Sequence, residues 1–135
     1  MAGSAGNFCE SAIAEAFRGT AFTVPGTLYL LLSTSTIAED GSGVTEPSGN
    51  NYSRTAVLMN STTWSAVTSG AFANAIAITT ATASGSWGTI TDWALVSTVS
   101  GAFDLYVYGV LSSSVAVASG QAFNFPISDL DINVT

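Results

Sequence analysis

Beyond Pro25 the chain consists of short apolar runs broken by glycine and serine roughly every ten residues, which leaves no room for a long helix. TLYLLLST (27–34) is apolar on both faces, so it is expected to be a central strand covered on both sides. YSRTAVLM (52–59) reads as its return, and AFANAIAITT (71–80) alternates Ile76 and Ile78 with small residues. GTITDWALVS (88–97) sets Thr91, Trp93 and Leu95 on one face, opposite Ile90, Asp92 and Ala94. AFDLYVYGVL (102–111), SVAVA (114–118) and QAFNFP (121–126) follow. DLDINVT (129–135) alternates most clearly, with Leu130, Ile132 and Val134 inward and Asp129, Asp131 and Asn133 outward. Seven or eight such strands predict an all-β fold, an antiparallel β-sandwich of jelly-roll type.

The segment 35–51, rich in Gly, Ser, Thr and acids, is too polar to pack and reads as one long loop. Ahead of the strands, NFCESAIAEAFR (7–18) predicts a short helix. Asn7 would cap it, Glu10 stands at the capping-box position, and Gly19 stops it. Phe8, Ala12, Ile13, Ala16 and Phe17 give this helix an apolar face, either packed on the domain or offered to a neighbouring subunit. With no internal repeat or linker, 1–135 reads as a single domain, a helix and arm over 1–26 leading into a sandwich over 27–135.

Charge is the unusual part of the composition. Charged residues make up 8 % of the 135, against about 25 % in soluble domains generally. A folded monomer of this mass exposes about 6,600 Å², so charges fall at roughly a third of the usual density. A surface of small uncharged groups is cheap to desolvate and suits burial against other protein. The alternative is a monomer kept in solution by hydroxyls and a net charge of −7. Arg18 and Arg54 are the only basic side chains, so nucleic acid and anionic membrane are not expected partners. No apolar run approaches membrane-spanning length, and the N-terminus lacks the basic stretch of a secretory signal.

Catalytic chemistry finds little support. The chain has no histidine, which removes the base of a serine or cysteine nucleophile and the usual ligands of zinc, copper and iron. Cys9 is alone and reads as a small buried residue in a protein folded under reducing conditions. Asp129 and Asp131, about 7 Å apart if they share a strand face, could form a glycosidase pair or simply a solvated strand edge. Glu39, Asp40 and Glu46 could cup a calcium ion, but their spacing fits the EF-hand pattern poorly and a solvated loop is the simpler reading. No nucleotide-binding motif occurs, and no cofactor or metal is expected. The sequons at 51–53, 60–62 and 133–135 are ordinary in so Ser/Thr-rich a chain. Trp64, Trp87 and Trp93, with Tyr29, Tyr52, Tyr106 and Tyr108, are either a sugar-stacking platform or core and interface anchors.

Half of the positive charge stands in NNYSR (50–54), just after three of the nine acids. Arg54 can reach back over the loop to Glu39, Asp40 or Glu46 with its forked donors, and Tyr52 can stack beside it. Arg54 is therefore expected to pin the 35–51 loop, for the domain's own stability or against a neighbour.

The block LYLLLSTSTIAEDGSGVTEPSGNNYSRTAV resembles one in small virion proteins of tailed bacteriophages. The shared pattern is an "LYxxLxT" strand (Leu28-Tyr29, Leu32, Thr34), an acidic Gly-rich loop, Glu46 with Gly49, and Tyr52 with Arg54. WGTITDWAL (87–95) and YGVLSSSVAVASGQAFNFPISDLDINV (108–134) match the family's later blocks, with Ser128 where glycine is common. Proteins of this kind carry the label "phage tail fibre protein", and none is expected to be an enzyme. The size and strand content are similar to jelly-roll cement (decoration) proteins. The resemblance thus implies a virion protein on the outer capsid surface, bridging copies of the major capsid protein and of itself. The alternative it implies is a tail component, a fibre-base adaptor or a receptor-binding domain using the Trp and Tyr faces.

Overall fold

The computed structural model of the protein describes residues 1–134. In chain order its elements are β1 (Ala2–Ala5), α1 (Asn7–Phe17), β2 (Thr27–Ser33), β3 (Thr55–Leu58), β4 (Ala71–Ala73), β5 (Ile78–Thr79), β6 (Gly88–Val96), β7 (Leu105–Val117), β8 (Asn124–Phe125) and β9 (Asp131–Asn133). Seven strands form one sheet in the order β3-β2-β6-β7-β1-β9-β4, while β5 and β8 form a separate ribbon. This is the expected all-β, sandwich-like fold with a short N-terminal helix. It departs from purely antiparallel pairing at one place, where β1 runs parallel to β9. The accessible surface, 6691 Å², is close to the about 6,600 Å² expected of a folded monomer of this mass.

Strands β2 and β6 lie side by side near the middle, pairing Tyr29 with Val96 and Leu32 with Trp93. Both are covered on two faces, as the unbroken apolar run of β2 requires. On one face Leu28, Leu30, Trp93 and Leu95 join the main core with Ile78 and Phe125 of the ribbon. On the other, Leu31, Ala94 and Val96 meet Ile37, with Val44 and Phe103 packed against them. Ile37 and Val44 come from the 35–51 segment, so the expectation that this loop is too polar to pack is corrected. Two apolar residues among its many polar ones suffice to cover a strip of sheet.

The N-terminal arm also differs from expectation, because Ala2–Ala5 is a strand threaded between β7 and β9. AGSA has no β-branched or aromatic residue to announce it, but its smallness has a purpose. Gly3 stands opposite Gly109, and Gly109 opposite Trp93. A Cβ on Gly3 would lie 2.6 Å from the Trp93 ring, and one on Gly109 would lie 2.7 Å from the Ala2 carbonyl oxygen and 2.8 Å from that ring. The indole of Trp93 thus lies against two glycines, a packing that β1 must preserve. Its Nε1–H finds no acceptor among the described residues, so close packing here outweighs one hydrogen bond.

Other boundaries move for local reasons. The predicted strand 71–80 divides between sheet and ribbon because the buried Asn74 side chain interrupts it. Its Nδ2 donates to the carbonyls of Ile76 and Pro126, both at 2.8 Å, and its Oδ1 accepts from Leu130 N–H. The runs at 102–111 and 114–118 merge into the single long β7. The run 129–135 contracts to β9, and its last residue, Thr135, lies outside the described residues. Ser128, standing where glycine is common, keeps the turn by adopting φ 64°. Helix α1 is capped by Gly6 with no side-chain hydrogen bond, so Asn7 and Glu10 form no capping box. Backbone pairing replaces it: Gly6 N–H donates to the Tyr106 carbonyl and Asn7 N–H to that of Glu39.

Candidate functional site

The stretch NNYSR forms a corner in which four side chains tie the chain to its neighbouring segments. Asn50 and Asn51 both take left-handed backbone, φ 53° and 64°, a conformation asparagine tolerates better than most residues. Their amides then donate across to the 82–86 segment, Asn50 to the Ser86 carbonyl at 3.0 Å and Asn51 to that of Thr82 at 2.8 Å. The Asn50 carbonyl accepts from Trp87 Nε1 at 2.9 Å. This double reversal turns Tyr52 and Arg54 back under the loop.

Tyr52 packs edge-on against Trp87, with ring centres 5.3 Å apart. Its hydroxyl accepts from Leu32 N–H at 3.1 Å and donates to Glu46 Oε1 at 2.9 Å. Burial is the main reason its acidity is lowered, and the neighbouring Glu46 carboxylate adds to the effect, so its pKa rises well above the ordinary tyrosine value.

Arg54 is buried, with 6 % of its surface exposed. Nε and Nη2 grip Glu46 in a fork, at 3.0 Å to Oε1 and 2.7 Å to Oε2. Nη1 donates to the carbonyl and hydroxyl of Thr98 at 2.9 and 3.0 Å, and Nη2 to the Gly101 carbonyl at 2.9 Å. All five guanidinium N–H groups thus have a partner. The Phe103 ring lies beneath, 5.1 Å from the guanidinium carbon, in cation–π contact. The aromatic partner is Phe103 and not the expected Tyr52, which instead shares the same carboxylate.

The acids of the loop separate. Glu46 alone of the three pairs with Arg54. Glu39 contributes its backbone carbonyl to the start of α1, and Asp40 Oδ1 closes its own turn by accepting from Ser42 N–H at 2.9 Å. The Ser42 side chain first, and this backbone bond second, hold the Asp40 carboxyl below its usual range. The three carboxylates therefore do not converge on one point, and no cluster able to hold a metal is found among the described residues. Sequence could suggest an acid for Arg54; it had no signal for Thr98, Gly101 or Phe103, whose roles rest on the β6–β7 turn and largely on backbone carbonyls.

The remaining candidates are also placed. Asp129 lies outside β9, in the turn before it, so Asp129 and Asp131 do not share a strand face. Asp131 instead stands 3.8 Å from the N-terminal ammonium, which donates to the Asp129 carbonyl. Trp64, Trp87, Trp93 and Tyr106 are buried, so none offers a flat exposed face for sugar stacking, while Tyr29 and Tyr108 are half-buried against the Leu31 cluster. The face of α1 divides. Phe8 meets Tyr106 edge-on at 5.2 Å, Cys9 is buried and Ile13 partly so, whereas Phe17 is 91 % exposed. Burial, followed by the charge of Glu10, pushes the Cys9 thiol above its ordinary pKa. No helix among the described residues is long and apolar enough to cross a membrane.

In comparisons with known proteins, one family model, described as podophage GP4 fiber I protein gp80, matches residues 4–133. No curated protein matches the chain.

Proposed function

The chain belongs to the podophage GP4 fiber I protein gp80 family, and on that premise we propose that it is a structural part of a phage tail fibre or of its attachment to the tail, with no reaction of its own. The observation that carries this reading is the family match over 4–133, which takes in the second half of β1 and every element from α1 to β9. It favours the tail alternative over the capsid-cement reading, so the expected neighbours are tail proteins and further copies of the chain, in place of the major capsid protein. The site geometry supports a building block. Arg54, Glu46 and Tyr52 spend their polar groups on one another and on backbone, which fixes shape and leaves little for a substrate.

Deletion of the gene from the phage provides the test. Particles without the protein should package and retain DNA as the parent does, yet lack fibre density and adsorb poorly to the host. Intact fibres together with leaky heads would return the protein to the capsid surface. Copy number separates the two placements independently, with tens per particle expected of a tail part and hundreds of a cement.

A further inference from the structure

We propose that two copies of this chain associate through α1, packed antiparallel about a twofold axis, with Phe17 of each copy entering an apolar hollow on the other. Phe17 is far more exposed than Phe8 at the other end of the same helix, 91 % against 40 %. Beside it lies a hollow of about 310 Å³ lined by Ile13, Ala16, Phe17 and Phe22. Ile13 and Phe22 also line a second cleft of about 170 Å³ that leads inward to Cys9, Leu28 and Tyr106. A protruding ring and a cavity large enough for a ring thus occupy the same face. A twofold axis makes such a surface complementary to itself, since each copy supplies one ring and one hollow.

Charge selects a second copy as the occupant. Glu10, Ile13, Ala14 and Phe17 fall at i, i+3, i+4 and i+7, one stripe of the helix, with the small Ala14 permitting close approach. In an antiparallel pair crossing at Ala14, position 18 of one helix stands opposite position 10 of the other. Arg18 then faces the partner copy's Glu10, twice over. Arg18 is available for this because its present bond, 2.7 Å to Glu15 one turn back, is exposed at both ends and worth little. Elsewhere a net charge of −7 makes copies repel, and Arg54 is already enclosed. The end of α1 is where an exposed cation and an exposed aromatic coincide.

Sedimentation equilibrium of the full chain over a wide concentration range tests the pairing and does not depend on where in the particle the protein sits. The expected result is a reversible dimer. Phe17→Ala should weaken it at least tenfold without moving the thermal midpoint of the chain at monomeric dilution, since that ring takes almost no part in the fold. Arg18→Glu and Glu10→Arg should each weaken the dimer, and the two changes together should restore it toward the parent. A chain that stays monomeric at every concentration overturns the proposal, as does a dimer indifferent to Phe17→Ala or a double exchange that gives no recovery. Binding of another virion protein at Phe17 by a strictly monomeric chain also overturns it.

Discussion

The corner around Arg54 and the end of α1 around Arg18 each set a guanidinium nitrogen 2.7 Å from a glutamate, and they differ in almost everything else. At the corner the two side chains are 3 % and 25 % exposed; on the helix they are 77 % and 47 % exposed. Arg54 makes five hydrogen bonds to three residues on two segments, whereas Arg18 bonds one residue a single turn away. An isolated buried charge is costly, so the fold encloses one only where its donors can all be satisfied. That enclosure fixes the 35–51 loop against the 98–103 turn. An exposed pair holds nothing in place and can change partners at little cost. With only two basic side chains to distribute, the molecule uses one to set its shape and leaves the other on its surface.

The contrast is most vulnerable at the corner. Arg54→Ala leaves the Glu46 carboxylate without its partner and should cost about 3–5 kcal/mol in urea unfolding, with new protease cleavage in 35–51. Arg54→Lys keeps the charge but loses the fork and the bonds to Thr98 and Gly101, and should cost about 2 kcal/mol.

Tyr52→Phe is a smaller change. It removes the hydroxyl shared by Leu32 and Glu46, at about 1–2 kcal/mol near neutral pH. It also changes the alkaline response. In the folded protein burial raises the Tyr52 pKa above its ordinary value of 10.0. The unfolded chain therefore loses this proton first as pH rises, and stability should be complete below about pH 10 and fall above it. Tyr106 is shifted the same way by its own burial, so Tyr52→Phe should flatten that alkaline decline without abolishing it.

Arg18→Ala should be the mildest, within about 0.5 kcal/mol of the parent by the same unfolding measurement. A loss as large as that of Arg54→Ala would erase the distinction between the two sites.

Much of the fold was legible wherever a residue's chemistry left one option. TLYLLLS, seven consecutive residues with no charge, reads as a strand covered on both sides, and it is one. The pairing of Arg54 with a loop acid was legible because so few charges were available. What escaped has a common cause: it depends on partners that sequence does not display. β1 fits beside β7 only because Gly3 leaves room for the Trp93 ring, a requirement written far away in β6. Glu46 is chosen over Glu39 and Asp40 because the backbone of Glu39 anchors α1 and Asp40 is held in its own turn. The capping role expected of Asn7 passes to backbone bonds made by β7 and the loop. The apolar face of α1 was visible as a whole, but its division into a docked half and an exposed Phe17 becomes clear only once Tyr106 is in place.

Amide hydrogen exchange on the full chain, dilute and then concentrated, tests the division of labour between the two arginines most directly. Concentration should add protection over α1 and the adjoining residues to Val24, while 46–54 and 98–103 are already protected in the dilute chain and do not change. Added protection at the Arg54 corner, with α1 unchanged, would contradict that division.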